Sequence, residues 1–168
     1  MGADILDLKD RKILYQLDLN ARQSNSRIAK IVYLSRDIIN YRIKKLEEKR
    51  YIKGFYTLID FYKLGYLSIR IYIKLVSAPL EKEREIIEYL MKDTNTFFIV
   101  KSDGPFDIGI GTWVKSIYDF ENFYTKLKEK FKKYIGKDQI AIFTKAHHFH
   151  RAYLLNKKND EAAAEYLG

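Results

Sequence analysis

Residues 24–46 read SNSRIAKIVYLSRDIINYRIKKL, and their spacing decides the first half of the fold. Ser24 can cap a short helix carrying Ile28, Ala29, Ile31 and Val32, and only about two turns fit before the break at Tyr33-Leu34. Ser35 then caps another helix, in which Ile39, Ile43 and Leu46 form a buried stripe while Arg36, Asn40, Tyr41, Lys44 and Lys45 point elsewhere. Two capped helices around a tight turn, the second with a basic and polar outer face, make the helix-turn-helix pattern. A three-helix packing unit with a solvated charged face is the competing reading.

Working outward, Leu6, Ile13, Leu14 and Leu17 fall at helical spacing upstream, with Asp7 as N-cap. Downstream, residues 51–59 are β-branched and aromatic around Gly54 and predict a two-strand wing and linker. After Leu64-Gly65 the pattern changes. Ile69, Ile71, Ile73 and Leu75 alternate with Ser68, Arg70, Tyr72 and Lys74, as in a half-buried strand. Pro79 suits a helix start whose stripe includes Ile86, Ile87, Leu90 and Met91. Strands are expected over 96–102 and 106–114, joined at Asp103-Gly104-Pro105. Ser116 caps a helix through Phe120, Phe123, Tyr124, Leu127 and Phe131, which Gly136 is expected to end. A last strand is expected over 139–149. The fold class is therefore α+β: a winged helix-turn-helix over residues 1–64, a ferredoxin-like βαββαβ domain over 65–155, and a polar tail over 156–168. One sheet face stays bare in such a domain, and apolar residues on it point to a homodimer.

Composition agrees with a soluble folded chain of 168 residues, 47% hydrophobic and 32% charged. Lys and Arg number 31 against 22 Asp and Glu, a net charge of +9 that calls for a polyanionic partner. Two thirds of that excess lies in residues 1–64. The chain has no cysteine, which excludes disulfides and thiolate chemistry. No apolar run is long enough to span a bilayer and no signal peptide is legible, so no membrane partner and a cytoplasmic location are expected.

A helix-turn-helix places its second helix in the major groove of double-stranded DNA. Arg36 and Asn40 suit guanine and adenine edges. Arg42, Lys44, Lys45, Lys53 and the hydroxyls of Ser24 and Ser26 suit phosphates.

Leu6-Asp7 through Ile13-Leu14, Leu34-Ser35-Arg36, Tyr41 to Glu48 and Ile52-Lys53-Gly54-Phe55 resemble the N-terminal domain of the Lrp/AsnC (feast/famine) regulators. Ser102 to Asp107 resembles that family's Gly-x-x-Asp hairpin. The resemblance spans about residues 4–150 and implies a DNA-binding transcription regulator whose dimers assemble further. It also implies an amino acid or related metabolite bound near Gly104, Pro105, Phe106 and Asp107, with the carboxylate of Asp107 holding the ammonium. Ordinary turn chemistry, with Asp107 bonding backbone amides, accounts for the same residues. Three positions depart from the family. Tyr33 and Arg50 stand where glycine is usual, each costing on the order of 1 kcal/mol if the backbone stays left-handed. Arg27 stands where an acid would complete the capping box, placing an extra cation beside the DNA.

His147, His148 and His150 admit a metal reading, but no carboxylate or cysteine is adjacent in sequence, and an exposed strand end accounts for them. The basic run Lys126 to Lys133 complements the end of a helix. No cofactor is expected. Two other functions stay open: an Lrp-like-fold enzyme such as a siroheme decarboxylase, and a regulator that no longer binds an effector.

Overall fold

The computed structural model describes residues 6–158 and 164–167; residues 1–5, 159–163 and 168, which fall in the expected first domain and tail, lie outside the described residues. The chain divides into two compact units, one built from residues up to Ile59 together with the segment from His147, the other from Asp60–Ala146.

In the first unit three helices follow one another: α1 (Leu8–Leu19), α2 (Asn25–Val32) and α3 (Arg36–Glu48). Their N-caps are Asp7, Ser24 and Ser35, whose side chains accept from the amides of Asp10, Arg27 and Ile38. Each bond satisfies an amide that the first helical turn leaves without a partner. Ile13, Leu17, Ile28, Ala29, Val32, Ile39 and Leu46 make one buried cluster. Fully burying an Ile or Leu contributes about 1.5–3 kcal/mol, so these side chains hold three otherwise marginal helices together.

The expected two strands over 51–59 are not formed: that run carries neither helix nor strand. Its composition favours pairing, but no strand of the described residues lies against it, and Phe55, Tyr56 and Ile59 are exposed. The β-structure near this unit comes from β5 (Ala146–Phe149), paired with β6 (Ala164–Leu167). The expected strand over 139–149 is thus two: β4 (Ile135–Phe143) belongs to the large sheet and β5 does not. The division falls at Asp60 rather than Gly65, and residues 147–155, expected in the second domain, pack with the first unit. Asp18 explains that return, because its carboxylate accepts the Arg151 amide at 2.6 Å and also binds the Arg151 guanidinium.

The second unit contains β1 (Leu67–Leu75), α4 (Leu80–Met91), β2 (Thr96–Lys101), β3 (Ile108–Val114), α5 (Ile117–Phe131) and β4. Its antiparallel sheet runs β2-β3-β1-β4, the ferredoxin-like order. Ile69, Ile71, Ile73, Ile108 and Ile110 pack under Ile86, Leu90, Phe120, Phe123, Leu127 and Phe131 of the two helices. Gly136 lies within β4 instead of ending α5, and a Cβ there would collide with the Val76 side chain.

The other sheet face carries Ser68, Arg70, Tyr72 and Lys74 of β1, as the alternation predicts. Across it Phe97 stacks on Trp113 with centroids 3.8 Å apart. The Arg70 guanidinium lies 4.7 Å from the Phe97 and Phe143 ring centroids and 5.8 Å from that of Phe98. Gly111 makes room for it, since a Cβ there would sit 2.6 Å from Arg70 Nη1.

Candidate nucleic-acid interface

The outer face of α3 begins where Ser35 caps the helix, so free amides and the positive end of the helix dipole coincide with its first basic side chain, Arg36. Arg36, Asn40, Tyr41, Lys44 and Lys45 are all exposed, opposite the buried Ile39 and Leu46. Ser24, Ser26 and Arg27 are exposed on the first turn of α2, and Ser35 and Lys53 are exposed as well. The expected residues therefore share one unit and present their polar groups to solvent.

Asn25 was not anticipated. Its Nδ2 donates to Asn40 Oδ1 at 2.6 Å, which orients the Asn40 amide from the neighbouring helix. An amide held in one rotamer loses less side-chain entropy on binding.

Arg42 departs from the phosphate role expected of it. Its Nη1 reaches Asp7 Oδ2 and Asp10 Oδ1, each at 2.7 Å, so the guanidinium ties α3 to the start of α1. Donation from the Asp10 amide, then the Arg42 contact, holds the Asp7 carboxyl below its ordinary range. The two carboxylates, Asp7 first, raise Arg42. A basic residue of α3 is here a clamp. Lys9 acts likewise, its Nζ donating to the Val32 carbonyl at 2.6 Å.

Tyr33 and Arg50 keep the left-handed backbone, with φ of 58° at each, so the turn is not rebuilt around the missing glycines. Tyr33 is 84% exposed and makes no packing contribution that would offset its strain. Ser24 still accepts the Arg27 amide at 3.3 Å, the half of the capping box that does not need an acid at position 27.

In the second unit, the hairpin between β2 and β3 is closed by Ser102, whose amide donates to the Asp107 carbonyl at 2.9 Å and whose hydroxyl donates to the Phe106 carbonyl at 2.8 Å. Asp107 Oδ1 accepts from Lys74 Nζ and its Oδ2 from the Leu75 amide, each at 2.7 Å. Lys74, followed by the Leu75 amide, keeps the Asp107 carboxyl below its usual range. Lys74 also donates to the Gly104 carbonyl at 3.1 Å. Both carboxylate oxygens thus already hold the hairpin to the end of β1. Gly104 and Pro105 are exposed, Phe106 half-buried, and nothing crowds Gly104. Among the described residues no group of three or more His, Asp or Glu is placed to hold a metal ion, the histidines at 147–150 included. No helix of the described residues is long and apolar enough to cross a membrane.

Comparison with known proteins places these features. A profile described as a winged helix-turn-helix DNA-binding domain matches residues 6–53. An uncharacterized HTH-type transcriptional regulator of Pyrococcus furiosus is 31% identical over 119 residues, which is 71% of this chain and 79% of that protein. Among solved structures, the Neisseria meningitidis transcriptional regulator NMB0573 in complex with L-Met superposes with a TM-score of 0.79 at 20% identity, covering 90% of this chain and 98% of that one. Escherichia coli AsnC gives a TM-score of 0.73 at 23% identity, covering 83% and 93%. At those identities the structural likeness establishes the fold.

Proposed function

From its membership of the Lrp/AsnC family of HTH-type transcriptional regulators, which makes this chain a DNA-binding regulator, we propose how it reads DNA and answers to a small molecule. The capped, exposed face of α3 enters the major groove, with Arg36 and Asn40 on base edges and Tyr41 beside them. Lys44, Lys45, Lys53, Arg27 and the hydroxyls of Ser24, Ser26 and Ser35 meet phosphates. Arg42 is left out of that set, because Asp7 and Asp10 hold it. The observation that carries this reading is the pairing of Asn25 with Asn40, which sets a base-reading amide on an otherwise open face.

The protein works as a homodimer, with a second copy covering the open sheet face. Phe98 and Val100 are exposed there, and Arg70 lies among three rings without a carboxylate among the described residues, so a facing copy gains apolar area and offers acceptors to the guanidinium. Two copies of the reading helix suit an operator with two half-sites. The effector is an amino acid or related metabolite, a class supported by the L-Met bound to the meningococcal neighbour, and we place it at the Gly104–Asp107 hairpin. Asp107 shapes that hairpin rather than holding the ammonium, since a ligand cation would have to displace Lys74. The role is regulatory and not enzymatic, without a cofactor, and the protein acts in the cytoplasm on the nucleoid.

Selection of bound fragments from genomic DNA, repeated with a panel of amino acids, tests the proposal. Enrichment of one two-fold symmetric sequence whose occupancy changes with one amino acid is the expected result. Uniform recovery of all fragments at moderate salt contradicts it.

A further inference from the structure

A cavity of about 500 Å³ lies wholly within the first unit, between α1, the run after α3 and the segment from His148. That volume is in the range of pockets that hold small organic ligands. Its walls are of two kinds. Leu14 and Leu17 of α1, with Ile52, Phe55 and Leu58, make an apolar side, while His148, His150 and Arg151 make a polar end beside Asp18.

The polar end is held in place yet incompletely paired. Asp18, the only acid in the lining among the described residues, is taken up by the Arg151 amide and guanidinium. The Nδ1 atoms of His148 and His150 are shielded from solvent and meet no hydrogen-bond partner among the described residues. The Asp18 carboxylate is 3.7 Å from His150 Nδ1, outside hydrogen-bonding reach. Buried imidazole nitrogens in native proteins are normally hydrogen-bonded, so two orphans behind one cavity wall leave both rings without a bond that fixes them on that side, and it is the rest of each ring that a ligand in the cavity meets. The sign of the charge follows from the lining: Arg151 and Lys53 outnumber Asp18, and the two imidazoles add donors.

We propose that this cavity binds a small organic acid, its apolar body along Leu14, Leu17, Ile52 and Leu58 and its carboxylate at His148, His150 and Arg151. The site shares no residue with the hairpin at 104–107 and stands whether or not that hairpin binds an effector. Because the cavity is walled by α1 and by the run that leaves α3, the ligand is sensed in the DNA-reading unit itself.

The test titrates the full chain with phenylacetate and, separately, with phenethylamine, a cation of similar shape, reading heat and amide chemical shifts. Saturable binding of phenylacetate at least about tenfold tighter than the amine is expected, a charge-assisted bond to the head being lost in the latter. The shifted amides should fall at 14–21 and 148–154. The double variant His148→Ala/His150→Ala should weaken phenylacetate about tenfold or more. If that variant loses its cooperative thermal transition, Ala21→Trp replaces it: this exposed lining position tolerates a large side chain that fills the cavity, so binding should vanish at unchanged Tm. The proposal is overturned by no saturable binding, by equal binding of the amine, by shifts confined to 102–107, or by folded variants that keep wild-type affinity.

Discussion

The outer face of α3 and the hairpin at 102–107 are the two places proposed here to recognise a partner, and they are built in opposite ways. On α3 the charged and amide groups of Arg36, Asn40 and Lys45 are exposed, and Lys44 meets only Glu48 at 3.9 Å, both in solvent. In the hairpin the carboxylate of Asp107 is spent, both its oxygens being bonded, to Lys74 and to the Leu75 amide. The contrast separates residues kept ready for a partner from residues that shape a site. Arg42 sits on the same helix as Arg36 but belongs with Asp107, its guanidinium consumed by Asp7 and Asp10. Residue type and helical position did not distinguish the two arginines. Their partners do.

That division can be broken by substitution. Asp107→Ala should have the largest effect on folding, about 1–2 kcal/mol, because it leaves the Leu75 amide without an acceptor and Lys74 with the Gly104 carbonyl alone. A urea titration that finds the variant as stable as wild type would return Asp107 to the ligand-binding role. Tyr33→Gly should act the other way, raising stability by about 1 kcal/mol as the left-handed strain is relieved; an unchanged or lower Tm would mean that the exposed ring makes a contact worth keeping.

Arg42→Met should cost less, at most about 1 kcal/mol, as a partly exposed ion pair. Its signature is in the pH dependence. The Asp7 carboxyl is depressed in the folded state, so its contribution is present above its unfolded value, near 3.8, and is lost as pH falls through the lower folded value. The acid limb of the stability curve should therefore flatten in the variant, and an identical acid limb would show that the clamp is idle. Lys44→Ala should leave stability unchanged and reduce the slope of log K against log salt by about 1, the mark of a single phosphate contact. An unaltered slope would remove Lys44 from the interface.

Much of this fold was legible in the sequence because its signals are local. Asp7, Ser24, Ser35 and Ser116 announce four helix starts, and each accepts the amide bond its position implies. The alternation of β1 placed Ile69, Ile71 and Ile73 in the core and Arg70 opposite. What was not legible depends on partners far along the chain. The Arg42 clamp joins residues 35 positions apart and the Asp18–Arg151 bond residues 133 apart, separations over which periodicity carries no information. The break between β4 and β5 escaped for a related reason: the alternating pattern continues through Thr144-Lys145, while hydrogen bonding passes to a different sheet. The run at 51–59 has the composition of strands but no mate among the described residues, and a strand exists only as one of a pair. The site was readable as a list of exposed residues, not as a network, which is why Asn25 went unnoticed and the pairing of Arg42 with Asp7 and Asp10 was not foreseen.

The central claim is that α3 reads sequence through Arg36 and Asn40. Its most direct test is the ratio of specific to nonspecific DNA affinity for Arg36→Ala and Asn40→Ala, measured against wild type at one salt concentration on the selected operator and on unrelated DNA. A loss of about 1–3 kcal/mol on the operator alone is the predicted result. An equal loss on both DNAs would show that these side chains supply charge or packing, and the claim would be wrong.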